Sequence, residues 1–285
     1  MNLHVNPNQG TDNPSPAEMV PHRALCTDCG ISRSSDPKRC GRVCQFIKPD
    51  YDGLEKQAHG RTRDPERGDE RFFGPYRSML RASRREPLEG AQWTGITTSI
   101  GEALLRHGHV DAVLAIGPDP SDRWKPLPML ITRAEDMALC RGMRMGYAPL
   151  LQLLEPARDS GHKRIAIIGI PCQVHALRAL EQELGFERIY VIGTPCSDNT
   201  TTANFHEFLA LLSDQPETIT YCEFRSDYHV ELRFEDGTKR AIPFLKLPLS
   251  KLAPDFFPLT CRTCVDYTNA LADITIGYMG GEGEQ

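Results

Sequence analysis

No stretch of the chain approaches the roughly 18 consecutive apolar residues that a membrane-spanning helix needs, so no membrane span is expected. The opening residues, MNLHVNPNQGTDNPSPAEMV, lack the basic start and apolar run of a secretory leader and do not read as a transit peptide. The G-x-G-x-x-G fingerprint of a dinucleotide fold is missing too. Positive charge is not in excess: the formal net charge is −5, which gives no reason to expect a nucleic-acid partner. Arg-rich patches at 61–71 and 77–85 read as solvated surface. Oligomeric state has no signature. These absences point to a cytoplasmic chain, in a reducing compartment where structural disulfides are rare.

Against that background the ten cysteines stand out. Cys26, Cys29, Cys40 and Cys44 form a C-x2-C-x10-C-x3-C run, with Asp28, Gly30, Ser34, Ser35, Asp36, Pro37 and Gly41 supplying turn chemistry between them. The x2 spacing lets two thiolates reach one centre, and zinc or an iron–sulfur cluster would satisfy the run equally. A second set lies far along the chain. Cys172 in GIPCQVHALRAL and Cys196 in VIGTPCSDNTT each follow an apolar run that reads as a buried parallel strand, then a Pro-Cys step, then a helix. Helices are expected from about Gln173 to Leu184 and from near Thr200. A thiolate at a helix start is stabilised by free N–H groups, which suits a cluster ligand or a lone reactive thiol. With the C-x2-C of Cys261 and Cys264, four ligands converging on one cluster is the favoured reading. Cys222, in TITYCEFR, reads as core, and Cys140 has no assigned role.

Two groups of four cysteines on an α/β body suggest electron transfer, and a flavin is the usual converter of single electrons into hydride chemistry. The segment GAQWTGITTSIGEALLRHGHVDAVLAIGPDP offers Gly90, Gly95 and Gly101 for close backbone approach. Thr94, Thr97, Thr98 and Ser99 place hydroxyls at the start of a helix running to about Arg106, which suits a phosphate, a flavin edge or simple capping. HVDAVLAIG reads as a strand. PDPSDRWKPLPML reads as a Pro-rich connector or lid. The alternation around Asp236-Gly237 predicts an antiparallel hairpin decorating the main sheet.

CTDCG, HGRTRDPERGDERFFGP, GAQWTGITT, GIPCQVHALRAL, VIGTPCSDN and CRTCVDYTNALADITIGYMG follow in this order from about Leu25 onward. In that order they resemble the hydrogenase/dehydrogenase beta-subunit family of the deazaflavin coenzyme. Within it they are most similar to the branch holding ferredoxin-dependent divinyl chlorophyllide 8-vinyl reductases and 7-hydroxymethyl chlorophyll reductases. The resemblance implies FAD and two four-iron (4Fe–4S) clusters, one on Cys26, Cys29, Cys40 and Cys44, the other on Cys172, Cys196, Cys261 and Cys264. It places the flavin against Gln92, Trp93, Thr94, Gly95, Thr97 and Thr98 and the glycine-rich end of a strand over 273–280. Family members carry a KPTLSPN-like segment at the flavin. The corresponding ALCRGMRMGYAPLL shares only Gly142, Pro149 and their spacing, so the substrate face is expected to differ. The chain stops at GYMGGEGEQ where family members continue, so a shortened form is expected.

The expected architecture is α/β, a mixed sheet flanked by helices with an N-terminal iron–sulfur module and an inserted antiparallel hairpin. Its divisions would be a flexible tail over 1–24, the iron–sulfur module and linker over 25–88, and a flavin- and cluster-binding domain over 89–285. The implied activity is ferredoxin-dependent reduction of a tetrapyrrole, first the 8-vinyl group of a divinyl chlorophyllide. His175, His206, Tyr228, His229 and Asp266 are candidate proton sources, each with a stronger structural reading. Arg33, Lys38, Arg39 and Arg42 would suit an acidic ferredoxin or merely balance nearby acids. The rival readings are an electron-input subunit of a larger complex and a non-enzymatic zinc-and-thiol scaffold.

Overall fold

The computed structural model describes residues 25–277. The tail expected over 1–24 and the glycine-rich end of the chain, including Gly280, lie outside the described residues. The helices, in order, are α1 (Cys40–Val43), α2 (Tyr51–His59), α3 (Glu70–Phe73), α4 (Ile96–Arg106), α5 (Leu154–Asp159), α6 (Pro171–Leu180), α7 (Thr202–Leu212) and α8 (Leu259–Arg262). The strands are β1 (Ala112–Asp119), β2 (Asp122–Ile131), β3 (Arg164–Gly169), β4 (Arg188–Gly193), β5 (Ile219–Phe224), β6 (His229–Phe234), β7 (Lys239–Pro243) and β8 (Ile274–Thr275).

The main sheet runs β2-β1-β3-β4-β8, parallel except for the antiparallel β1–β2 pair. RIAIIG of β3 is apolar almost throughout because helices and loops cover both its faces, as in buried parallel strands. Ile165, Ile167 and Leu114 meet Leu177 and Leu180 of α6 in the central core, joined by Ile31, Val43 and Leu54 from the N-terminal segment. Each such side chain contributes about 1.5–3 kcal/mol on leaving water. The N-terminal segment therefore packs into the same core as the sheet. Helix α6 starts with Pro171 at its first position, where a missing N–H costs nothing. The Gln173 side chain reaches back to accept the Ile170 N–H at 3.1 Å.

Two sequence expectations change. The Pro-rich stretch over 118–130 is not a connector or lid: most of it is β2, the edge of the main sheet. An edge strand tolerates Pro126 and Pro128, because a missing donor there need not face the ladder. The antiparallel insertion is larger than a hairpin on the main sheet. β6 and β7 do turn at Asp236-Gly237, with Gly237 at φ 82°, but β5 adds a third strand and the three form a separate sheet. Its core is distinct too. Phe205, Phe208 and Leu209 of α7 pack on Ile219, Cys222, Val230 and Leu232, and Trp124 of β2 joins them. Cys222 is core, as expected.

Candidate active site

The site is built at the carboxyl ends of β3 and β4, where open α/β sheets bind their ligands. Each strand ends in glycine and turns into a Pro-Cys step. The Asn269 side chain ties the two ends together, donating to the Gly169 carbonyl at 2.8 Å and to that of Thr194 at 3.3 Å. Close packing here demands Gly193, since a Cβ would lie 2.8 Å from the Asn269 amide carbon. Asp266 accepts the Ala270 N–H at 3.0 Å and so shapes the loop that presents Asn269.

This framework gathers Cys172, Cys196, Cys261 and Cys264. Burial pushes the Cys172 thiol up to about 12, and the nearby Cys261 and Cys264 thiols push the same way. Cys196 is raised by burial and then by Cys172, Cys261 and Cys264. The first group gathers likewise. Burial raises Cys40 to about 11, with Cys44 and Cys26 adding to it. Cys29 is raised by burial, then by the thiols of both groups, Cys172, Cys40 and Cys44. Its loop is pinned by the Leu151 N–H donating to the Cys29 carbonyl at 2.9 Å. Gly30, at φ 107°, admits the close approach of Pro149, whose carbonyl would lie 2.6 Å from a Cβ. Thr27 bridges onward, its hydroxyl 3.7 Å from the Cys172 sulfur.

Among the described residues no three His, Cys, Asp or Glu side chains converge as one bound metal ion requires. A polynuclear cluster, with several metal and sulfide atoms inside its thiolate shell, holds its ligands farther apart than a single tetrahedral ion does. Two neighbourhoods of four thiols fit that donor set in number and kind.

Beside the second group opens a cavity of about 450 Å³, well sized for a cofactor. Its wall includes Gln92, Trp93, Gly95, Thr97 and Thr98, the carboxyl ends of β3 and β4, and Cys196. Thr94 is not in the wall; its hydroxyl accepts the Arg84 N–H and its carbonyl the Leu88 N–H, closing the loop behind. Trp93 and Thr94 hold left-handed backbone, φ 46° and 71°, a conformation costing about 1–3 kcal/mol per non-glycine residue. The buried Glu223 of β5 helps hold it, accepting the Trp93 N–H at 3.1 Å and the Tyr221 hydroxyl at 2.6 Å. The insertion sheet thus braces the cavity loop. Residues 140–146 form the opposite wall, so the departure from the KPTLSPN-like segment faces this cavity. Within it the Nε atoms of Arg141 and Arg144 are buried without an acceptor. Cavity, strained loop and unmet cationic donors fit a flat ligand carrying anionic groups.

The five nominated proton sources lie elsewhere. Both His175 nitrogens meet backbone, Nδ1 at the Val43 carbonyl and Nε2 accepting the Asp50 N–H, so it pins the N-terminal segment to α6. His206 bonds Asp122 at the surface, His229 bonds the Asp227 carbonyl, and Tyr228 is exposed. Asp266 is consumed by backbone. Asp198 and Tyr267 do line the cavity, each two or three residues past a cysteine of the second group, with no local sequence pattern that marks them. Of the basic residues near the first group, Arg33 pairs with Asp28 at 2.6 Å, Arg39 with Asp36 at 3.5 Å and Arg42 with Glu183 at 3.5 Å. These three balance neighbouring acids.

Comparison with known proteins places this geometry. Residues 79–155 match the model of the N-terminal part of the coenzyme F420 hydrogenase/dehydrogenase beta subunit, and residues 162–285 match that of its C-terminal part. An uncharacterized protein of Nostoc sp. is 39% identical over 274 residues, covering 96% of this chain and 69% of that one. The chloroplastic 7-hydroxymethyl chlorophyll a reductase of Oryza sativa is 38% identical, covering 93% and 56%. A component of the F420H2 dehydrogenase of Methanosarcina mazei is 28% identical, covering 85% and 62%. Among solved structures, a chain of the F420-reducing NiFe hydrogenase complex of Methanosarcina barkeri shares the fold at a TM-score of 0.57 and 22% identity, covering 65% and 64%. The class is therefore an α/β protein of an oxidoreductase-type family. In particular, the chain belongs to the coenzyme F420 hydrogenase/dehydrogenase beta-subunit family. It spans 56% of the rice enzyme and 62% of the dehydrogenase component. No helix among the described residues is long and apolar enough to cross a membrane.

Proposed function

We propose that the chain is an iron–sulfur flavoprotein reductase that takes electrons from reduced ferredoxin and reduces a tetrapyrrole, the 8-vinyl group of a divinyl chlorophyllide being the first candidate. The observation carrying this reading is that Cys196, of the second thiol group, stands in the wall of the same cavity as Gln92, Trp93, Gly95, Thr97 and Thr98. A cluster held there would adjoin whatever that loop binds. Cys26, Cys29, Cys40 and Cys44 would hold one four-iron cluster, and Cys172, Cys196, Cys261 and Cys264 the other. FAD in the cavity would supply conversion between single electrons and hydride. The chain's own part is to position the second cluster and the flavin from one pair of strand ends, with the Thr27 hydroxyl, 3.7 Å from the Cys172 sulfur, linking the first thiol group to the second. Similarity to the rice enzyme over most of the chain supports a tetrapyrrole substrate.

Membership in the family favours a second reading, an electron-input subunit that reduces the deazaflavin coenzyme or a partner enzyme. Anaerobically prepared protein supplied with reduced ferredoxin separates the two. Conversion of divinyl chlorophyllide or of 7-hydroxymethyl chlorophyll, followed by mass spectrometry, supports the reductase. Reduction of the deazaflavin coenzyme with neither pigment altered supports the electron-input role and removes the first reading.

A further inference from the structure

A second cavity, of about 300 Å³, lies on the other side of the segment that walls the first, and Arg141, Gly142 and Arg144 line both. Arg123 also lines it but pairs with Glu235 at 3.6 Å, and Arg141 pairs with Glu102 at 3.5 Å. Arg144 differs. Its Nη1 donates to the Arg141 and Gly142 carbonyls at 2.6 and 3.1 Å, its Nε is buried without an acceptor, and no carboxylate among the described residues forms an ion pair with it. Asp198, the carboxylate in the larger cavity, is held above its ordinary value by burial, with only the charge of Arg262 opposing, and it makes no ion pair with Arg144. Burial accordingly depresses the Arg144 guanidinium below its ordinary value, with only the Cys140 thiol opposing. A half-buried cation without a counter-ion is costly, and the cost falls when an anion arrives.

We propose that Arg144, flanked by Arg141, is an anion receptor that takes a phosphate or carboxylate group of the ligand filling the larger cavity. Guanidinium presents paired donors that match either group. Two ligands could bring that chemistry: a dinucleotide flavin through its diphosphate, or a tetrapyrrole through a free propionate. The tetrapyrrole source rests on the function proposed above, whereas the flavin source does not. If the propionate is what binds, the site selects free acids over esterified pigments.

The test is equilibrium binding to the full chain, prepared anaerobically and freed of flavin, with Arg144→Gln and Arg144→Lys beside the natural protein. The probes are FAD against riboflavin, which lacks phosphate, and chlorophyllide against its methyl ester. A loss of about tenfold or more for FAD in R144Q, with riboflavin unchanged and partial recovery in R144K, assigns the site to the cofactor's phosphates. The same loss for chlorophyllide, with the ester unchanged, assigns it to the substrate's carboxylate. Uncharged partners report whether the cavity survives the substitution. The proposal is overturned if FAD and chlorophyllide both bind within twofold of the natural protein, or if the uncharged probes weaken equally, which would make Arg144 a brace for its loop. Binding of FAD but no tetrapyrrole by the natural protein would count against the proposed substrate and leave the receptor to be judged on the flavin pair.

Discussion

The two thiol groups reach similar chemistry by opposite routes. Cys26, Cys29, Cys40 and Cys44 sit within one short stretch, on turns and a four-residue helix, and need little beyond local chain reversal to meet. Cys172, Cys196, Cys261 and Cys264 come from two strand ends and from the short helix α8 with the turn after it, and meet only because β3 and β4 are parallel neighbours and Asn269 locks their ends. A group made by local turns depends on loop geometry. A group made by strand ends inherits the rigidity of the sheet, and it is the one adjoining the cavity.

The largest expected effect tests whether the groups are independent. If each holds a four-iron cluster, Cys29→Ser or Cys196→Ser should each remove about half of roughly eight irons per chain. Iron and sulfide analysis checks this, and only Cys196→Ser should disturb the spectrum of a bound flavin strongly. Loss of all the iron from either variant would show one shared site.

Next comes the difference in what holds each group. Asn269→Ala removes a buried bridge between strand ends; the Gly169 carbonyl keeps the Thr194 N–H at 3.0 Å, but the Thr194 carbonyl loses the Asn269 amide, costing about 1–3 kcal/mol. Thermal unfolding should show it, with the second group releasing iron faster to a chelator. Gly30→Ala should do the reverse, loosening the first group, because its Cβ would press on Pro149 in a conformation alanine resists. Equal release from both groups in either variant would end the contrast.

Acid sharpens it at the N-terminal side. The Arg61 guanidinium holds the Glu70 carboxyl down to about 2, through bonds of 2.5 and 2.6 Å. A carboxyl lowered on folding stabilises fully above its ordinary value of 4.5 and loses that contribution as pH falls toward 2. Hydrogen-exchange protection in residues 61–74, taken relative to the intrinsic rate at each pH, should therefore fall over that window ahead of that of β3 and β4. Glu70→Gln should abolish the pH dependence while leaving the strands unchanged.

The smallest effect is an expected null result for iron. Cys140→Ser and Cys222→Ser should keep full iron content, since neither joins a group, although a hydroxyl in the Cys222 core position should lower the melting temperature slightly. Loss of half the iron from either would mean the ligands are sorted wrongly.

Several features were legible from residue order because they depend on nearest neighbours or on period. The apolar runs of β3 and β4, the helix ending at Arg106, the turn at Asp236-Gly237, and the sorting of Cys222 into a core all follow from local pattern. Proline misled the reading of β2, because its tolerance depends on whether a strand lies at an edge, and edges are properties of a sheet. The candidate histidines take the structural roles that were the stronger reading, but their partners were just as hidden. Nothing adjacent to His175 reveals that Val43 and Asp50 occupy both its nitrogens.

What the sequence determined by itself was therefore the supply of parts: strands, turns, cysteines at spacings that can share a centre, and a glycine- and hydroxyl-rich helix start. Tertiary structure decided which parts meet. It put Cys196 and the Gln92–Thr98 loop on one cavity, set Glu223 behind Trp93, brought Asn269 across two strand ends, and left the Arg144 Nε buried without an acceptor. Each is a contact between residues far apart in the chain, and burial and electrostatics act through distance in space, which residue order does not encode locally.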